Sequence, residues 1–146
     1  MRGLIQRVAH ASVTVEGECV GRIKQGLLLL LGVERDDTRE QADKLLHKIL
    51  NYRVFADASD KMNLNVGEVA GGVLVVSQFT LAADTRKGLR PGFSSAAAPA
   101  LAKELYDYFV QQLQAQHATV ATGIFSANMQ VSLTNDGPVT FLLEAR

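Results

Sequence analysis

The chain has 146 residues, 47% of them hydrophobic, and its 15 Lys plus Arg balance 15 Asp plus Glu. That length fits a single domain, 1–146, large enough to bury a core without staples. Zero net charge argues against tight, sequence-independent polyanion binding, while a local basic patch stays open. The lone Cys19 excludes an internal disulfide, and without a CxxC or Cys/His cluster the pattern argues against structural zinc.

The N-terminal M-R-G-L-I-Q-R-V-A-H lacks the apolar core of a signal peptide, and G-L-L-L-L-L-G at 26–32 is too short to span a bilayer. A soluble, cytoplasmic protein is expected. Alternating Ile, Val and Thr predict strands at 3–8, 12–16 and 18–23, with E-G-E at 16–18 as a hairpin turn. The 27–33 run, bracketed by Gly26 and Gly32, has the length of a strand buried on both faces. The period then changes. In D-D-T-R-E-Q-A-D-K-L-L-H-K-I-L, residues 36–50, Ala42, Leu45, Leu46, Ile49 and Leu50 share one helical face. Asp37 with Glu40, or Thr38 with Gln41, fits a capping box; the paired Asp36 and Asp37 are best explained as helix capping.

Tyr52, Val54 and Phe55 suggest a short strand, and 57–60 a loop. Gly71 and Gly72 introduce V-L-V-V-S-Q-F-T-L at 73–81, a buried strand whose later half turns polar; its alternation would put Ser77, Phe79 and Leu81 on one face. A basic loop follows at 84–93. A second helix starts near Pro99, with Leu101, Leu105, Phe109 and Leu113 stepping by four. The tail after 119 returns to a β pattern. The sum is an α+β domain with mostly antiparallel sheet and two main helices.

Ordinary hydrolytic motifs are absent. His10, His47 and His117 lie outside any HExxH pattern, and there is no GxSxG elbow, Walker loop or GxGxxG. A Ser-His-Asp triad assembled in space stays open. Three segments remain. S-Q-F-T-L at 77–81 carries polar groups that need partners if buried. N-D-G-P-V-T at 135–140 has the composition of a hairpin turn, but a proline directly after Asp-Gly is awkward at a strand start. A Gly-Pro bond adopts cis for only about 0.5–1 kcal/mol over trans, and a cis bond would turn the flanking carbonyl oxygens toward a pocket as fixed acceptors. Arg86, Lys87 and Arg90 cluster within five positions, either as a solvated loop or as a phosphate-contacting patch.

Together these segments resemble the D-aminoacyl-tRNA deacylases. Both signature motifs, S-Q-F-T-L and N-D-G-P-V-T, are present in order. The flanks M-R-G-L-I-Q-R-V, K-M-N-L at 61–64, A-D-T-R-K-G at 83–88 and M-Q-V-S-L-T at 129–134 carry the likeness along nearly the whole chain. The resemblance implies a homodimer of barrel-like β subunits. It implies hydrolysis of the ester between a D-amino acid and the 3′-terminal adenosine of tRNA, with L-aminoacyl-tRNA spared and glycyl-tRNA a further substrate. It implies a cis Gly137-Pro138 pair reaching into the partner's pocket. No metal or organic cofactor is expected. Ser77, Gln78, Phe79 and Thr80 become the catalytic segment; Gly137 and Pro138, with Met129 and Phe125 as pocket walls, the chiral filter and substrate contacts; Arg86, Lys87 and Arg90 the tRNA contacts. Phe79, Phe125 and Met129 also fit plain core positions. Thr80 is the nucleophile by residue type, but no base neighbours it in sequence; the alternative is assistance by the substrate's ribose 2′-hydroxyl. A non-catalytic RNA-binding module and a small-molecule esterase are the rival functions.

Overall fold

A computed structural model describes all 146 residues. β1 (Arg2–Val15) is the spine of the sheet. The two segments expected at 3–8 and 12–16 are one strand. Its buried residues Ile5, Val8, Ala11 and Val13 are spaced by three in the middle, where its register with the neighbouring strand shifts. Those bulges break the period-two pattern that the sequence reading relied on.

The expected hairpin at 16–18 is present: Glu16 and Gly17 have φ of 49° and 81°, as a two-residue hairpin turn requires. It leads into β2 (Glu18–Ile23) and β3 (Gly26–Gly32), which lie end to end along one edge of β1. β8 (Gln130–Glu144) takes the other edge for nearly its full length. β6 (Gly72–Ser77) pairs with β3 and β7 (Val120–Thr122) with β6, both parallel. Sheet order is β2-β1-β3-β6-β7 with β8 beyond β1. A small antiparallel pair, β4 (Phe55–Ala56) and β5 (Met62–Leu64), flanks it.

The sheet is therefore mixed: the three pairings made by β1 are antiparallel, as expected for most of the sheet, while β3–β6 and β6–β7 are parallel. Each parallel pair is joined through a helix, α1 (Arg39–Asn51) or α2 (Pro99–Gln116), because a crossover must carry the chain back to the starting end. The apolar runs already carried that signal. Leu27, Leu29, Leu31, Val73 and Val75 enter the main core beneath the helices, whereas Leu28, Leu74 and Val76 enter a second cluster on the opposite face. Closure needs small residues. A Cβ on Gly21 of β2 would lie 2.4 Å from the Thr122 carbonyl oxygen of β7, so glycine brings the two ends of a nearly closed, barrel-like sheet together. No helix is long and apolar enough to cross a membrane.

Helix α1 uses the second of its two capping options. Thr38 donates its main-chain N–H to Gln41 Oε1 at 2.7 Å, and the Thr38 hydroxyl accepts from the Glu40 amide. Asp37 is not a cap. It is buried, and its carboxylate accepts from the α-amino group of Met1 at 2.7 Å and from the Glu34 amide at 2.7 Å. Asp36 is solvated. Pro99 begins α2 as expected, and His117 ends it with its ring against the Gly71 carbonyl at 2.7 Å, not as a free surface group.

Glu34 completes a charged clamp between the chain ends. It pairs with Arg2 at 3.0 Å, with Arg146 at 2.6 Å and with the Met1 ammonium at 3.8 Å. Burial alone would raise its carboxyl, but these cations outweigh burial and hold it below the usual 4.5. The unfolded chain thus takes up this proton first. The clamp's contribution is complete above about pH 4.5 and is lost as pH falls through the lower folded value. The melting temperature of the wild type is expected to fall more steeply below pH 4.5 than that of Glu34→Gln; parallel curves would refute the clamp.

Candidate active site

The parallel strands β3 and β6 end side by side, and a cavity of about 440 Å³ opens at their carboxyl ends, the usual place for a site in such a sheet. Leu31, Val33, Val76 and Ser77 form its floor, the first turns of α2 one wall, and the segment 125–131 the other. Most of the lining is apolar, with Phe125 packed on Tyr106 at 5.5 Å between ring centres. The S-Q-F-T-L strand expected over 77–81 stops at Ser77. The Gln78 amide makes one last ladder bond, to the Leu31 carbonyl at 2.8 Å. Leu81 N–H then bonds Gln78 O and Ala83 N–H bonds Thr80 O, each at 3.1 Å, coiling Phe79–Ala82 into a 3-10 turn. The expected shared face of Ser77, Phe79 and Leu81 does not exist. Instead Ser77, Gln78 and Phe79 successively line the cavity. Thr80 stands exposed at its rim, and the Gln78 carboxamide donates to its hydroxyl. The amides of Phe79 and Thr80 open the turn and have no acceptor within it.

No Asp, Glu, His, Lys, Arg or Cys lines this cavity. Its one titratable group is Tyr106, whose phenol is pushed by burial up to about 12 and donates to the Val75 carbonyl at 3.4 Å. A phenol so shifted stays protonated at neutral pH and offers no base. The polar equipment is therefore hydroxyls, a carboxamide and main-chain amides.

N-D-G-P-V-T is not a hairpin turn. Both flanks belong to β8 and pair with the same strand: Thr140 opposite Gln6, Asn135 opposite Val8. β1 advances two residues there while β8 advances five, so the motif is a wide bulge within one strand. The hairpin reading failed because turn composition marks a departure from the ladder without saying whether the chain reverses. The Gly137-Pro138 bond is cis, and Gly137 has a φ of 131° that favours glycine. Arg7 grips the bulge from below, donating through Nε to the Asp136 carbonyl at 3.1 Å and through a second nitrogen to the Val54 carbonyl at 2.7 Å.

The two motifs do not meet in one chain. From Ser77 to Gly137 the path crosses three strand spacings and about four residues along β1, on the order of 20 Å over the sheet. The structure thus gathers Ser77, Gln78, Phe79, Phe125 and Met129 in one cavity with Thr80 at its edge, and leaves Gly137 and Pro138 exposed elsewhere. The 84–93 loop leaves from the cavity's rim, closed by reciprocal main-chain bonds between Asp84 and Gly92 at 2.7 and 3.2 Å. Phe93 at its base stacks on Phe79 with ring centres 5.2 Å apart. Arg86 is not free: Asp84 holds its guanidinium through two bonds of 2.9 and 2.8 Å, and Arg86 in turn holds the Asp84 carboxyl far below the usual range. Lys87 and Arg90 are exposed and make no ion pair.

Sequence reasoning missed Tyr106 and Arg7. Tyr106 neighbours the Leu105 position of the four-step helical stripe and was hidden by it. Arg7 left a signal, a charge inside the alternating I-Q-R-V of a strand, which marks a side chain with a fixed partner.

A small α+β unit with an apolar cavity rimmed by neutral polar groups defines the class to which the comparisons point. The chain belongs to the family described as D-Tyr-tRNA(Tyr) deacylase, which matches residues 4–144. It is 67% identical over 144 residues to proteins named D-aminoacyl-tRNA deacylase from Cellvibrio japonicus (strain Ueda107) and Pseudomonas putida (strain W619), covering 99% of both chains in each case. The namesake from Haemophilus influenzae (strain 86-028NP) is 64% identical over 143 residues, 98% of this chain and 99% of that one. Among solved structures, the c-Myc DNA Unwinding Element Binding Protein superposes with a TM-score of 0.96 at 40% identity, over 100% of this chain and 99% of the other. A probable eukaryotic D-amino acid tRNA deacylase shares the fold, with a TM-score of 0.81 at 17% identity over 98% of both chains.

Proposed function

We propose that this chain clears D-amino acids from tRNA as a homodimer, with the Gly137-Pro138 turn of one subunit closing the cavity of the other. Family membership makes it an enzyme, a hydrolase of the aminoacyl-tRNA ester. One observation carries the finer reading: in a single chain the cavity lacks the turn and the turn lacks a cavity. The outer edge of β8 pairs with nothing, and Phe141 and Leu142 are exposed near the turn, so this face suits a second copy.

The apolar cavity takes the terminal adenine between Phe125 and Met129, and Ser77, Gln78 and Phe79 hold the ribose and ester. The leading amides of the 3-10 turn face the developing oxyanion. Main-chain oxygens of the turn occupy the space that any L side chain needs. Because main-chain atoms do not rotate away, exclusion is independent of side-chain type, while a D side chain points outward and glycine has nothing to exclude. Glycyl-tRNA is thus a second substrate. Lys87 and Arg90 contact tRNA phosphates, and Arg86 joins them only by leaving Asp84. The work is proofreading in the translating cytoplasm.

Purified protein with EDTA present is expected to release D-tyrosine from D-Tyr-tRNA and to leave L-Tyr-tRNA intact. Equal cleavage of both sinks the filter. Cleavage of neither sinks the enzyme, and a mere binder of tRNA ends would protect the ester.

A further inference from the structure

We propose that Asn135 is the positioning residue that fixes the shape of the 136–138 turn and, through it, the preference for D over L substrates. This rests on reading that turn as the chiral filter. Where β8 runs three residues ahead of β1, its backbone has lost the ladder that would hold it. The Asn135 side chain spans the gap. Its Oδ1 accepts from the Val139 main-chain N–H at 3.0 Å, and its Nδ2 donates to the Thr140 hydroxyl at 2.8 Å. Gln6 on β1 reaches the same hydroxyl at 3.4 Å. The residue before the turn is thereby tied to both residues after it, and Asp136, Gly137 and Pro138 form a closed loop of fixed width.

The residue type follows from this geometry. Val139 is buried, so its N–H needs an acceptor, and the exposed Thr140 hydroxyl stands within reach as a second partner. A carboxamide serves both with one short side chain. Aspartate keeps the acceptor for Val139, and the Thr140 hydroxyl can turn to donate to it. Alanine keeps neither bond and strands the Val139 N–H. Arg7 secures only the near side of the loop, at Asp136, so it cannot replace the tie across it.

The test compares kcat/KM on D-Tyr-tRNA with kcat/KM on L-Tyr-tRNA for the full-length protein. Asn135→Ala is expected to lower the D-over-L ratio about 30-fold, the scale of two lost hydrogen bonds, mainly through gained cleavage of the L substrate. Asn135→Asp should stay near the wild-type ratio, and Thr140→Val should fall between. A residue that served only stability would lower the melting temperature and both activities together, leaving the ratio unchanged. Gly137→Ala separates the two levels of the proposal, because its Cβ would meet Val139 Cγ2 at 2.6 Å and reshape the turn directly. A ratio lowered by Gly137→Ala but not by Asn135→Ala overturns the role of Asn135 and leaves the filter standing. A ratio lowered by neither overturns both. If Asn135→Ala does not fold, an unchanged ratio in Thr140→Val overturns the proposal.

Discussion

D-Tyr-tRNA ending in 2′-deoxyadenosine is expected to be hydrolysed about 10²–10⁴-fold more slowly than the natural substrate, the usual worth of a positioned general acid or base. Thr80→Ala, by contrast, is expected to cost no more than about 10-fold, the scale of one hydrogen bond. The contrast follows from what lines the cavity. A threonine hydroxyl is a weak nucleophile without a base, and here its neighbour is the donating carboxamide of Gln78, which cannot take a proton. The one titratable wall residue, Tyr106, is held protonated by burial. This chain's cavity walls thus supply no proton acceptor, and in the proposed complex the ribose 2′-hydroxyl is the group next to the reacting carbon. Single-turnover hydrolysis of the two substrates by wild type and Thr80→Ala checks this. If Thr80→Ala loses 10³-fold or more while the deoxy substrate reacts normally, Thr80 is the nucleophile and the substrate-assisted route is wrong.

Asp37→Ala is expected to destabilise the fold by about 3–5 kcal/mol, the cost of leaving a buried charge without its partner. In a domain of this size that lowers the melting temperature by roughly 10–15 °C. The α-amino group of Met1 is fully buried and bonds Asp37 at 2.7 Å and the Ala145 carbonyl at 2.9 Å. Removing the carboxylate takes away the nearer countercharge, leaving only Glu34 at 3.8 Å, and also the acceptor for the Glu34 amide. Asp37→Asn keeps an acceptor and should lose less. The change is expected to reach the cavity too. The chain just after β3 is bonded to the segment before α2, Ala97 N–H to Val33 O at 3.1 Å and Arg35 N–H to Ser95 O at 3.0 Å, and Val33 and Ala97 are cavity walls. Thermal unfolding followed by circular dichroism measures the shift; a loss under about 2 °C would show the pair to be unimportant.

Alternation located β1 but split it, since its register with β8 shifts twice between Gln6 and His10 and the buried positions there are spaced by three. The unbroken apolar run at 27–33 and the apolar start of 73–81 located β3 and β6, and the lack of alternation at 27–33 was the mark of burial on both faces. Parallel pairing, however, was settled only by the helix lying between them. Asp37 stood where a helix cap is common, and local composition cannot register a chain end 36 residues away. The bulge at 135–140 was visible as a Gly-Pro break, yet only the pairing of both its flanks with β1 distinguishes it from a reversal.

For the site the division is similar. Residue types and order alone supplied the candidates: the polar S-Q-F-T after a buried strand, the Gly-Pro break and the basic cluster. Those are local properties of composition and backbone preference, carried by the sequence itself. Tertiary structure decided what each one faces. It coiled Phe79–Ala82 away from the sheet and put Ser77, Gln78 and Phe79 around one apolar cavity with Phe125 and Met129. It tied Arg86 to Asp84, and it held Gly137 and Pro138 on the far side of the same sheet. Such placements depend on contacts between residues distant in the chain, and no local pattern encodes which distant partner a strand end or a bulge will meet.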